Sequence, residues 1–213
     1  MTSFDLKNDR LLQVTLSNEK VMATAGAMVA CDGNIKFEKA LLGGEGLLGV
    51  IKRKVTKEKF ELMCVKGSGK VYFANKAREI SIIPLNNDKV FLESNSLLAF
   101  DETLKTNVAF AGIAGATSGQ GLFTTTVEGS GNVAVISQGG ILAFEVNGIT
   151  PFCVDPDAFI GYKGNIQKEF IFDVNWKTMV GENSGESYQL KFTGQGTVYI
   201  QPAERIYDEA CQM

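Results

Sequence analysis

The sequence predicts an all-β chain built from three internal repeats. Three observations carry that expectation. Apolar residues alternate with period two over most of the chain, near-copies of one glycine string return at 67–73, 129–135 and 194–200, and 23 glycines stand against only 4 prolines. Period-two alternation sends successive side chains to opposite faces of a strand. Abundant glycine with little proline fits many tight reversals between short strands.

The glycine strings read "GSGKVYF", "GSGNVAV" and "GQGTVYI". The first is no phosphate loop, because that motif needs Gly where Cys64 stands and Ser or Thr where Val71 stands. Asn132 and Thr197 replace Lys70 in the other copies, so the frame recurs without its lysine. The recurrence marks a repeat of 62 and 65 residues. "VTLSNEKVMATAGAMVAC" (14–31) aligns without gaps on "IPLNNDKVFLESNSLLAF" (83–100), and "FEVNGITPFCVDPDAFIGY" (144–162) follows with one extra residue in its turn. Val21, Val90 and Phe152 then correspond, as do Ile35, Leu104 and Ile166. The repeats span 10–75, 79–137 and 141–202 of a single β domain, 1–213, with a C-terminal tail at 203–213.

Within each repeat the elements follow in order. Leu12, Val14 and Leu16 alternate with Gln13 and Thr15. In repeat three, Phe170, Phe172, Val174 and Trp176 alternate with Ile171, Asp173 and Asn175, and Leu190 and Phe192 flank Lys191. "SNEK", "NNDK" and "TGQG" supply the Asn and Gly that hairpin turns prefer, and each Gly-x-Gly is expected to reverse a hairpin before its Val-rich closing strand. The exception to period two is "GLLGVIKRKV", 46–55, where Leu47, Leu48, Ile51 and Val55 share one side of a short inserted helix.

Composition bounds function. At 213 residues, with 45% hydrophobic and 21% charged, the chain can bury a sizeable core and stay soluble. A net charge of −3 disfavours a general nucleic-acid-binding surface. "MTSFDLKNDR" has acids and no apolar core, so a cytoplasmic protein with reduced thiols is expected. Cys31, Cys64, Cys153 and Cys211 form no CxxC pair and are read as mostly buried apolar fillers, so neither a metal nor another cofactor is expected. The histidine count is zero, which removes Ser-His-Asp and Cys-His activation. Asp155 and Asp157 in "VDPDAF" resemble a carboxylate pair, but Asp-Pro-Asp is ordinary turn chemistry. Ser118 lacks nucleophile-elbow spacing.

One basic cluster is dense enough to contact an anionic partner: Lys52, Arg53, Lys54, Lys57 and Lys59. Beside it in repeat one lies "ALLGGEGLLG" (40–49), and in the same place of repeat two "NVAFAGIAGATSGQG" (107–121). Such small, apolar stretches suit a subunit seam better than a membrane surface.

The series "EGLLGVIKRKVTKEKFELMCVKGSGKVYFA", "GQGLFTTTVEGSGNVAVI" and "GGILAFEVNGITPFCVDPDAFIGY" resembles the altered-inheritance-of-mitochondria family over roughly residues 10 to 202. This mitochondrial-biogenesis group has many bacterial members. The resemblance implies a fold like the tryptophan RNA-binding attenuation protein (TRAP), of double-stranded β-helix or sandwich type, triplicated in one chain. It also implies that three chains close a nine-unit ring. No catalytic residue is implied. The expected function is a non-enzymatic oligomeric scaffold or binding module, a homotrimer whose further protein partner is not named. The alternative is a membrane-surface or nucleic-acid adaptor using the basic 52–59 segment.

Overall fold

The alternating apolar positions become strands with one buried face: Leu12 and Val14 are fully buried and Leu16 is nearly so. A computed structural model describes residues 2–40, 61–110, 123–172 and 188–203. It contains β1 (Ser3–Asn8), β2 (Leu11–Thr24), β3 (Met28–Lys39), β4 (Leu62–Phe73), β5 (Glu79–Glu93) and β6 (Leu97–Asp101). These are followed by β7 (Lys105–Phe110), β8 (Phe123–Ser137), β9 (Leu142–Asn147), β10 (Phe152–Val154), β11 (Phe159–Phe172) and β12 (Tyr188–Ile200). The protein is all-β. Among the described residues helical structure is confined to one 3-10 turn, Ser94–Ser96. The helix expected over 46–55 lies outside the described residues, as do Val174, Trp176 and nearly all of the C-terminal tail.

The twelve strands among the described residues join one antiparallel sheet, with neighbours in the order β10-β12-β11-β5-β8-β6-β2-β4-β3; β1 lies beside β2, β7 beside β8 and β9 beside β12. The strand carrying a glycine string is central each time. β2 and β3 flank β4, β5 and the β6–β7 pair flank β8, and the β9–β10 pair and β11 flank β12.

The structure corrects the expected turns. "SNEK", "NNDK" and "TGQG" do not separate strands; they run inside β2, β5 and β12, and β4 folds back on itself, since the Ala25 N–H donates to the Glu61 carbonyl while the Ala74 N–H donates to that of Ala27. The first two are bulges, where the register of β2 shifts at Ser17/Glu19 and that of β5 at Leu85/Asp88. Asn18 and Asn87 adopt the left-handed conformation there, with φ of 63° and 52°. A hairpin turn and a bulge both favour an Asn that tolerates positive φ, so the residue types alone could not separate them. The Ser between the glycines holds each bulge: the Asn18 N–H donates to Ser68 Oγ at 3.0 Å and the Asn87 N–H to Ser130 Oγ at 2.8 Å. In the third copy the extra residue opens the bulge into a break between β9 and β10.

The Gly-x-Gly strings are likewise mid-strand. Their glycines are needed for close approach: a Cβ on Gly69 would overlap the Asp32 carbonyl and sit 3.0 Å from Gly33 Cα. Gly67 and Gly194 meet the carbonyls of Asn34 and Asn165 in the same way, while Gly129 packs on Leu104. Ile35, Leu104 and Ile166, aligned by sequence, thus each approach the first glycine of a string. The small-residue bends at 24–28, 93–97 and 154–159 carry the chain from one side of the central strand to the other, between strands that both pair antiparallel with it.

The core divides into three clusters. The first, around Leu12, Val14, Val71 and Phe73, also takes in Leu98 and Ala134. The second, around Val90, Leu92, Val127 and Val133, takes in Ile160 and Tyr199. The third, around Phe159, Tyr162, Leu190 and Phe192, is filled mainly from β9–β12.

Candidate assembly interface

Two short strand pairings stitch the β2–β4, β5–β8 and β9–β12 groups together, and they share one register. At the first, β6 meets β2 with Ala99 opposite Ala23, Phe100 opposite Met22 and Asp101 opposite Val21. At the second, β11 meets β5 with Gly161 opposite Leu92, Tyr162 opposite Phe91 and Lys163 opposite Val90. These are the same aligned positions in successive copies. The leading residue is small both times, and Gly161 shows why: a Cβ there would lie 2.5 Å from the Phe91 carbonyl oxygen and 2.7 Å from Leu92 Cδ2. The middle pair carries bulk at both junctions, and Phe91 and Tyr162 stack with centroids 4.7 Å apart.

Ion pairs add little to these junctions. Lys20 Nζ reaches Glu102 Oε1 at 2.7 Å and Lys163 Nζ reaches Asp88 Oδ2 at 3.2 Å, but all four side chains are at least one-third exposed. Exposed pairs of this kind contribute about 0–1 kcal/mol. Apolar burial dominates, because Leu98 and Ile160 each leave their own strand group to fill the preceding core cluster.

The strand path ends on β3 at one side and β10 at the other. Among the described residues each has a neighbour on one flank only, β4 and β12 respectively. Apolar side chains are uncovered at both ends: Met28, Val29 and Phe37 on β3, and Leu142, Phe144 and Ile149 on or just after β9. The contrast with aligned positions is sharp. Leu98 and Ile160 are fully buried whereas Val29 is 57% exposed, and Leu97 and Phe159 are buried whereas Met28 is 36% exposed. An unpaired edge with exposed apolar residues is a pairing template.

The remaining sequence candidates fall into place around this frame. Lys52, Arg53, Lys54, Lys57 and Lys59 lie outside the described residues. Asp155 and Asp157 form a turn: the Asp157 N–H donates to Asp155 Oδ1 at 2.7 Å, and the Ala158 N–H to the Asp155 carbonyl. The cysteines correct the expectation of buried fillers. Cys31 and Cys153 are exposed, and Cys64 is partly buried. Cys31 and Cys153 are uncovered because they sit on the two terminal strands, β3 and β10. Burial first, and Glu102 second, push the Cys64 thiol upward in pKa, away from thiolate chemistry. Among the described residues no group of three or more His, Cys, Asp or Glu could hold a metal ion. No helix described is long and apolar enough to cross a membrane.

One notable residue escaped the sequence reading. Lys168 Nζ lies 5.5 Å from the Phe159 ring centroid and 5.8 Å from that of Phe170. Burial lowers its pKa to about 8. The signal was present, since period two places Lys168 on the same face as Ile166 and Phe170.

Comparison with known proteins agrees with this architecture. A crystal structure of a protein from Streptococcus pyogenes superposes with a TM-score of 0.74 at 23% identity, covering 96% of this chain and 94% of that one. No curated protein matches the sequence. The sequence matches the family described as mitochondrial biogenesis AIM24 over residues 4–203. The chain therefore belongs to the mitochondrial biogenesis AIM24 family.

Proposed function

We propose that the protein is a non-enzymatic scaffold: three fused TRAP-like units per chain, three chains closing head to tail into a ring. The observation that carries this reading is the exposure of Met28 and Val29 at positions whose aligned partners are buried at both internal junctions. An end that lacks its neighbour among the described residues of its own chain finds it on another copy. A head-to-tail contact leaves no open terminus only when its rotation closes. The number three comes from the nine-unit ring that the resemblance implies. Membership of the mitochondrial biogenesis AIM24 family supports a role in mitochondrial biogenesis or its bacterial counterpart, and a cytoplasmic location fits the composition.

Light scattering at low protein concentration and moderate salt tests the assembly. The expected mass is about three times the 23.0 kDa of one chain, held through salt because apolar contacts resist screening. A stable monomer overturns the reading. Binding of anionic vesicles or RNA that disappears at high salt and on neutralising Lys52, Arg53 and Lys54 would instead identify the adaptor.

A further inference from the structure

The ends of the sheet specify how one copy meets the next. We propose that β3 of one chain pairs antiparallel with β10 of its neighbour, with Ala30 opposite Val154, Cys31 opposite Cys153 and Asp32 opposite Phe152. This register rests on the scaffold reading and sharpens it, because it brings two thiols from different chains into one cross-strand pair.

The register follows from the two junctions inside the chain. Ala99, Phe100 and Asp101 of β6 align with Ala30, Cys31 and Asp32 of β3, and so do Gly161, Tyr162 and Lys163 of β11. Their partners Val21, Met22 and Ala23, or Val90, Phe91 and Leu92, align with Phe152, Cys153 and Val154 of β10. Carrying the observed pairing one step further makes β3 the only strand of the first kind, and β10 the only strand of the second, without such a partner among the described residues.

Side-chain chemistry supports each pair. The leading position is small in every copy, Ala30 matching Ala99 and Gly161, which is what backbone approach there requires. The trailing position sets a charged residue opposite an apolar one, Asp101 to Val21 and Lys163 to Val90, and Asp32 to Phe152 repeats that pattern. Cys31 and Cys153 take the middle position, and both are exposed in the single chain. Opposed residues in an antiparallel pair have Cα atoms about 4.5–5.5 Å apart, within the roughly 4.4–6.8 Å that a disulfide spans.

Core packing points the same way. Leu98 and Ala134 enter the first core cluster and Ile160 and Tyr199 enter the second, each pair coming from the following copy. Among the described residues no following copy reaches the third cluster. Val29 and Tyr72 hold the aligned positions in the first copy, on the side that the β3–β10 pairing brings against that cluster.

The test uses the full chain with Cys64→Ser and Cys211→Ser, leaving Cys31 and Cys153. Diamide, which takes two electrons and two protons from a thiol pair, is added while light scattering monitors the mass. The expected result is a non-reducing gel ladder of two and three chains and none higher, with a Cys31–Cys153 linked peptide in mass spectrometry. Adding Cys31→Ser or Cys153→Ser abolishes the ladder. Moving the thiol one residue, Cys31→Ser with Asp32→Cys, turns it to the other face and also abolishes linkage. A three-chain mass without linkage by diamide or by a short bis-methanethiosulfonate overturns the register and leaves the scaffold standing; so does equal linkage from the shifted thiol. A monomeric mass overturns the scaffold and the register with it.

Discussion

Replacing Val29 by Asp should dissolve the assembly while leaving the chain folded. Val29 is 57% exposed in the single chain, so a carboxylate there meets water and makes no new buried charge. Surface changes of this kind shift stability by about 0.5 kcal/mol or less. In the proposed ring, Val29 would take the place that Leu98 and Ile160 hold at the internal junctions, both fully buried. Burying the exposed half of a valine is worth roughly 1–1.5 kcal/mol, and an unpaired buried carboxylate costs about 3–5 kcal/mol. A chain leaving a closed ring breaks two seams, so the variant loses on the order of 8 kcal/mol of assembly free energy, about five or six powers of ten in dissociation constant. Sedimentation velocity should therefore find the wild type assembled and Val29→Asp monomeric at micromolar concentration, with matching circular dichroism, and the variant melting lower only by the stabilisation that assembly gives the wild type. The companion Leu98→Asp change should unfold the chain. An assembled Val29→Asp protein would refute the reasoning, because its seam could not then use the buried face of β3.

Three further outcomes follow from single sites. Gly69→Ala should cost about 3 kcal/mol or more in urea titration, because its Cβ overlaps the Asp32 carbonyl; Gly140→Ala, with open space around it, should cost about 1–2 kcal/mol for its positive φ alone. Asn87→Val should cost about 1–2 kcal/mol by forcing a β-branched residue into the left-handed bulge, whereas Asn87→Gly should be near neutral in the same titration. Lys168→Met should stabilise the chain by about 1–3 kcal/mol at pH 7, since burial holds the Lys168 pKa near about 8 against an ordinary 10.5. The unfolded chain keeps that proton longer, so wild-type stability should rise between about pH 8 and 10.5 and the gap to Lys168→Met should close; an equal gap at both ends would contradict the assignment.

Much of the fold was legible because period two and the glycine strings report backbone directly. Leu12, Val14 and Leu16 are buried on one face as their alternation requires, and Ile35, Leu104 and Ile166 meet their glycines as aligned. The turns were read as gaps between strands, where the strands in fact continue through them, for a physical reason. Asn18 and Asn87 satisfy a bulge as well as a hairpin, and only the long-range pairing of β2 with β4 and β5 with β8 decides between them. Cys31 and Cys153 were misread because burial depends on which strand ends the sheet, a property no local window contains. The proposed interface could be argued only when the two internal junctions were compared pair by pair. Lys168 could have been found from its register, but a lysine between Ile166 and Phe170 looks locally like any strand lysine.

Hydrogen–deuterium exchange on the assembled protein tests most directly whether both sheet ends are covered. Inside the chain, Ala99, Phe100 and the segment 161–163 have strand neighbours on both sides, and Asp101 pairs with Val21. Once the ring is closed, 30–32 and 152–154 gain the same protection, so peptides from these four places should exchange at comparable slow rates. Diluting to the monomer, or introducing Val29→Asp, should release 30–32 and 152–154 together while 99–101 and 161–163 stay slow. Fast exchange of 30–32 and 152–154 in a particle of three chain masses would contradict closure through β3 and β10.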